Sequence, residues 1–156
     1  MSIAERVKTY LEEKGVSYEH GEHPPAFTAQ EIAAAEHVPG KELAKSVMLT
    51  DGEAFVMAVL PATRRVDVAA FRDVAGNPDL RLAEEEEFVG LFPNVETGAV
   101  PPFGNLYDVP VFVDETLRED ESITFNAGTH TDTVRMAYAD FERLVDPVVA
   151  EFSESD

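Results

Sequence analysis

Residues 122–136, SITFNAGTHTDTVRM, decide how the rest of the chain is read. Ile123 and Phe125 alternate with polar residues as a half-buried strand requires, and a second strand-like run begins at Val134. Between them lies a small polar turn, residues 126–132, carrying an amide, hydroxyls, an imidazole and Gly128. A turn so rich in hydrogen-bonding groups, fixed between two apolar strands, suits a ligand better than a solvent corner. Its expected companion lies upstream at residues 98–104, GAVPPFG, where two prolines are bracketed by glycines. These two loops and Lys45 are read as one site.

Working outward, residues 3–14 place apolar side chains at helical spacing, and Gly15 closes that helix. Residues 16–20 form a short strand. Pro24 and Pro25 keep the next stretch irregular. Thr28 with Glu31 makes a capping box for a helix reaching about Val38. Residues 42–50 and 53–61 read as a hairpin about a two-residue Asp51-Gly52 turn. A helix is expected over 66–74, a strand over 79–83 and a short acidic helix over 84–92. Strands come next at 109–113, 123–125 and 134–138, then a helix from Ala139 to about Val145. Residues 147–156 read as an acidic, frayed tail beyond a domain spanning 1–146. Strands mixed with short helices give a single α+β domain around a mixed, mostly antiparallel, barrel-like β-sheet flanked by short helices.

A length of 156 residues suits one domain, and ten Phe in a chain that is 44% apolar support a folded core. No apolar run approaches the ~18 residues of a membrane helix, and the charged first helix is not a secretory signal. With no Cys there is no disulfide framework, no thiolate zinc site and no thiol nucleophile. A cytoplasmic location is the expectation. The 31 acidic residues against 12 basic ones give a net charge of −19, spread along the whole sequence, and lysine occurs only at 8, 14, 41 and 45. Such a surface fits a salt-rich, halophilic cytoplasm, where a Debye length of roughly 3 Å at 1 M salt screens self-repulsion. The same screening weakens the argument that an acidic protein avoids nucleic acid.

Lys45 shares a strand face with Val47 and Leu49, while Ser46 and Met48 take the other. Such a lysine either snorkels to the rim or sits as a cation at a pocket mouth. Pro101 and Pro102 stiffen a loop that presents carbonyls to a hydroxyl-bearing ligand, or form a rigid surface turn. Asn126, Gly128, Thr129 and His130 offer the complementary donors. His20 and His23 near Glu22 lie in a proline-bounded loop without the spacing of a metal motif, so no metal and no cofactor is expected. Neither a GxSxG elbow nor a glycine-rich phosphate loop is present.

Lys45 within AKSVMLT, the loop Gly98-Ala99-Val100-Pro101-Pro102, and FNAGTHTDTVRMAYADFERLV together resemble the YbaK/prolyl-tRNA synthetase-associated family of editing domains. The segment HPPAFTAQE, with Phe27 and Thr28, looks like the pocket edge of its free-standing members. The resemblance runs from about residue 3 to 146. It implies hydrolysis, in trans, of the ester joining a wrong amino acid to the terminal ribose of tRNA, with a synthetase as a further partner left open. It implies that Gly98 and the loop through Phe103 engage the ribose and reacting carbonyl. It ties activity to Lys45, with the substrate's vicinal hydroxyl assisting. Binding positions carried over are Phe27, Thr28, Ser46, Ala99, Val100, Pro101, Pro102, Phe103, Asn126, Gly128, Thr129 and His130. Some members carry Asn where this chain has Ser46 and His130. The edited amino acid therefore stays open among Cys, Ala, Ser and Pro. Two other readings stand beside this one: a non-catalytic module that binds tRNA or a synthetase, and a small-molecule hydrolase or nucleotide binder.

Overall fold

Register, more than any single element, builds this molecule. The computed structural model describes residues 3–22, 40–92, 99–129 and 131–155. Its helices are α1 (Ile3–Glu13), α2 (Val68–Ala75), α3 (Glu85–Phe88) and α4 (Tyr138–Val145). Its strands are β1 (Tyr18–Glu22), β2 (Ala44–Thr50), β3 (Phe55–Pro61), β4 (Arg64–Val66), β5 (Arg81–Leu82), β6 (Val111–Asp114), β7 (Ser122–Asn126), β8 (Asp132–Ala137), β9 (Val148–Ala150) and β10 (Ser153–Ser155).

They form a three-stranded sheet β1-β8-β7, a five-stranded sheet β5-β2-β3-β6-β9 and a two-stranded ribbon β10-β4. Pairing is antiparallel except that β3 and β6, and β6 and β9, run parallel. This is the expected α+β architecture with a mixed, mostly antiparallel sheet. All three sheets are open among the described residues, so the barrel-like shape does not extend to closure. A parallel bridge between Leu43 and Thr124 ties the start of β2 to β7 and so joins the two larger sheets.

The alternation read in residues 122–136 is what packs them. Ile123 lies opposite Met136 and Phe125 opposite Val134, and all four point into the main core. Val7 and Leu11 of α1 and Phe141 of α4 close over the same core, which also takes Met48 and Met57. A second cluster lies on the other face of the five-stranded sheet: Leu49, Ala58, Leu60, Phe71, Leu80 and Phe152. Its centre is Phe71 on α2, set edge-on against Phe112 at 5.1 Å and Phe152 at 5.0 Å.

Three expectations are corrected. The hairpin turn has four residues rather than two, because Thr50 pairs with Phe55. Asp51 Oδ1 accepts the Glu53 and Ala54 N–H groups at 2.9 and 2.8 Å, a side-chain turn that a two-residue loop has no room for. The 66–74 helix starts later, at Val68, because Val66 pairs with Ser153 and Asp67 caps the helix by accepting from Ala70 N at 3.1 Å. The tail is not frayed: β9 extends the large sheet, β10 pairs with β4, and Phe152 between them is 1% exposed. The helix expected over 28–38 lies outside the described residues. No helix among the described residues is long and apolar enough to cross a membrane.

Candidate functional site

The turn after β7 is organised by its own side chains. Thr129 Oγ1 accepts the backbone N–H groups of Thr131 and Asp132 at 3.2 and 3.0 Å and donates to Asp132 Oδ2 at 2.6 Å. Asp132 Oδ1 meets His20 Nε2 at 2.7 Å, which fastens the turn to β1. Burial works against the ionised Asp132, but bonds from Thr129 and His20 outweigh it and hold the carboxyl below the usual range. Gly128 sits at φ 95°, a conformation a side chain would strain.

The Gly128 N–H donates to the carbonyl of Ala99 at 3.0 Å. The two loops are therefore in direct contact, as the sequence led us to expect. The proline loop is not a surface turn, however. Ala99, Pro101, Pro102 and Phe103 are all buried. Phe103 stacks edge-on with Tyr10, Phe125 and Phe141 at 6.0, 5.4 and 5.5 Å. It belongs to the core and serves as the loop's anchor, which corrects its reading as a group that touches ligand. Only Val100 of residues 99–103 is partly exposed.

Lys45 reaches this region through β2. The Leu43–Thr124 bridge is parallel, so two residues further along each strand Lys45 and Asn126 stand level as the sheets diverge. Lys45 is half-buried and pairs across the hairpin with Leu60, on the face of the second core cluster. Ser46 faces the main core instead, among Ala44, Met48 and Val59. Its Oγ is buried without a hydrogen-bond partner among the described residues, and so are Thr124 Oγ1 and Asn126 Oδ1. Buried polar atoms left unpaired are costly, and these three gather along β2 and β7. Gly98, Phe27, Thr28 and His130 lie outside the described residues.

His20, Glu22 and Asp132 bring one ligand atom each within 4.8 Å of one another and could hold a cation. Sequence spacing missed this grouping, because Asp132 arrives only through the β1–β8 register, where it pairs with Glu22. Its carboxylate is already engaged by Thr129, Thr131 and His20, so the group acts as a clasp on the turn.

The two larger sheets are joined beside the interlocked loops, and Lys45 lies on the strand that follows the joining bridge. Residues 23–144 match the model of the aminoacyl-tRNA editing domain, and the chain belongs to that family. It is similar to the prolyl-tRNA editing protein ProX of Acetoanaerobium sticklandii, 26% identical over 151 residues that cover 93% of this chain and 92% of that protein. Over 81 residues it is 30% identical to the proline–tRNA ligase of Thermosipho africanus, matching 52% of this chain but 14% of the ligase. Among solved structures, a proposed trans-editing enzyme for prolyl tRNA synthetase superposes with a TM-score of 0.86 at 26% identity and covers 99% of both chains. A proposed signal transduction protein from Marinobacter aquaeolei shares the fold, with a TM-score of 0.76 at 18% identity over 31% of its length.

Proposed function

We propose that this protein is a trans-acting deacylase that hydrolyses the ester of a tRNA carrying the wrong amino acid, with tRNA for proline as the expected carrier. The observation that carries the reading is the Gly128–Ala99 bond, which joins the two loops beside β7, the strand bridged to the start of the one bearing Lys45. The family membership and the near full-length similarity to ProX support it.

The chemistry asks little of the protein's own nucleophiles. Water adds to the ester carbonyl, the bond from carbonyl carbon to ribose oxygen breaks, and the water proton ends on that leaving oxygen. The neighbouring ribose hydroxyl is placed to relay it. Lys45 supplies the positive charge that orients the terminal nucleotide or opposes the developing oxyanion. Val100 and the turn at 126–129 fix the ester against it, so positioning and fixed charge supply the rate. The Ala99 carbonyl is occupied by Gly128, so that bond is structural and the ligand meets the partly exposed Val100 beside it.

The test is deacylation of alanyl-, cysteinyl-, seryl- and prolyl-tRNA in high-salt buffer, with Lys45→Ala run beside the parent. The expected result is rapid loss of one aminoacyl group. The variant, with unchanged melting, is slowed at least ~100-fold, the scale of losing one charge-stabilising contact. Saturable tRNA binding without turnover in any arm would replace the deacylase with a binding module. Equal turnover of a short aminoacyl ester would make the protein a small-molecule hydrolase.

A further inference from the structure

Beside the start of β2 lies a cavity of about 310 Å³ that the site above does not use. Pro61 on its wall is the register partner of Ala44, one residue from Lys45. Lys41 on its rim is four residues from Lys45, at most about 14 Å of extended chain. The cavity is thus a neighbour of Lys45, within reach of the nucleotides next to one held there.

Its lining is built for a ligand with two different ends. Asp120 is 8% exposed, and its Oδ2 is buried with no hydrogen-bond partner among the described residues. A carboxyl oxygen in that position lacks a donor, and none of the described residues supplies one. Burial pushes the Asp120 carboxyl above its usual range; the charge of Lys41 opposes this, while Glu42 and Glu119 add to it. Across the cavity Arg64 is held in one plane, with Nε donating to Ser153 Oγ at 2.6 Å and Nη2 to Ser153 O at 3.1 Å. Two of the chain's 12 basic residues therefore line the cavity with one buried acceptor, and Glu119 is the other carboxylate on its lining. A ligand that matches this lining carries an N–H donor at one end and an anion at the other.

We infer that this cavity is a subsite for a cytidylate of the tRNA 3′ tail, with the exocyclic amine of cytosine donating to Asp120 and a phosphate meeting Lys41 and Arg64. The inference rests on the deacylase reading for its source of cytidylate, since the cytidines of that tail adjoin the terminal adenosine. The base chemistry is selective: a carboxylate accepts from the cytosine amine, whereas uracil presents a carbonyl oxygen at the same position.

The experiment titrates the intact protein calorimetrically with CMP, UMP, AMP and the nucleoside cytidine. CMP is expected to bind about tenfold tighter than UMP, in the range a single base-edge contact gives, and tighter than AMP and cytidine. Asp120→Asn is expected to erase the preference for CMP over UMP. Lys41→Ala, at an exposed position that leaves the core intact, is expected to erase the preference for CMP over cytidine. Equal binding of CMP and UMP, AMP binding as tightly as CMP, or parental selectivity in both variants would overturn the assignment. On tRNA, both variants are expected to raise KM and leave kcat unchanged. Turnover by the parent with neither variant altered would remove the subsite and keep the deacylase. Selective CMP binding with no turnover would keep the subsite and remove the deacylase.

Discussion

Gly104, at the end of the proline loop, has no room for a side chain. A Cβ there would stand 2.7 Å from the backbone oxygen of Val109 and 2.8 Å from Val111 Cγ2. The first of these is backbone, bound into the turn by the Val109 N to Gly104 O bond of 2.9 Å, and cannot yield cheaply. Gly104→Ala is therefore expected to destabilise the fold by about 1–3 kcal/mol, the usual cost of overpacking. Urea unfolding checks it, and a change below about 0.5 kcal/mol, the scale of an ordinary surface substitution, would discard the close approach. At this scale the sequence was readable where chemistry is local. Lys45, the two prolines and the polar turn announce themselves by residue type. Asp120 does not, because its significance comes from burial without a partner. Phe103 misled for the converse reason: its place beside the prolines suggests a ligand contact, while its ring packs among Tyr10, Phe125 and Phe141.

Among the elements, the last two strands show most clearly what a linear reading misses. Val148, Val149 and Ala150 read as part of an acidic, frayed tail, yet they pair in parallel with β6. Asp114, fully buried at the end of β6, anchors the chain at two distant points. Its Oδ1 accepts Phe152 N at 2.9 Å and Ser153 N at 3.0 Å, while Oδ2 accepts Thr116 N and Oγ1. Neither a parallel partner nor a distant acceptor leaves a periodicity in the sequence. Burial opposes the ionised Asp114, but these bonds prevail and hold its carboxyl below the ordinary range. A depressed folded value means stability that is present above the unfolded value of about 3.9 and is lost as pH falls through the folded one. Asp114→Asn places an amide N–H opposite the Thr116 donor and is expected to cost about 1–3 kcal/mol at pH 7. The gap to the parent should narrow below about pH 4 in urea unfolding. A gap that stays constant with pH would mean that Asp114 is not charged in the folded state.

For the whole molecule the dominant number is the net charge of −19. Exposed ion pairs such as Arg65–Glu154 and Arg118–Glu142 offset little of it, since pairs of that kind contribute roughly 0–1 kcal/mol. Raising salt from about 0.15 to 1 M shortens the Debye length from about 8 to 3 Å and screens the repulsion that remains. The melting temperature is therefore expected to climb with NaCl, and more than with sucrose, which acts by exclusion without screening charge. Equal gains in the two would remove the electrostatic account. The α+β class was legible because alternation and capping recur in every element. Which strands neighbour one another was not, since β10 joins β4 across most of the chain. That pairing also sets a clock on biosynthesis. Arg65 and Glu154 are 89 residues apart, so a nascent chain growing at ~5–20 residues per second waits roughly 4–18 s between making β4 and making its partner. Throughout that interval the large sheet lacks β9, and Phe71 lacks the Phe152 ring that covers it. The emerging polypeptide thus carries a greasy, half-finished sheet edge out of the ribosome until the last strands arrive.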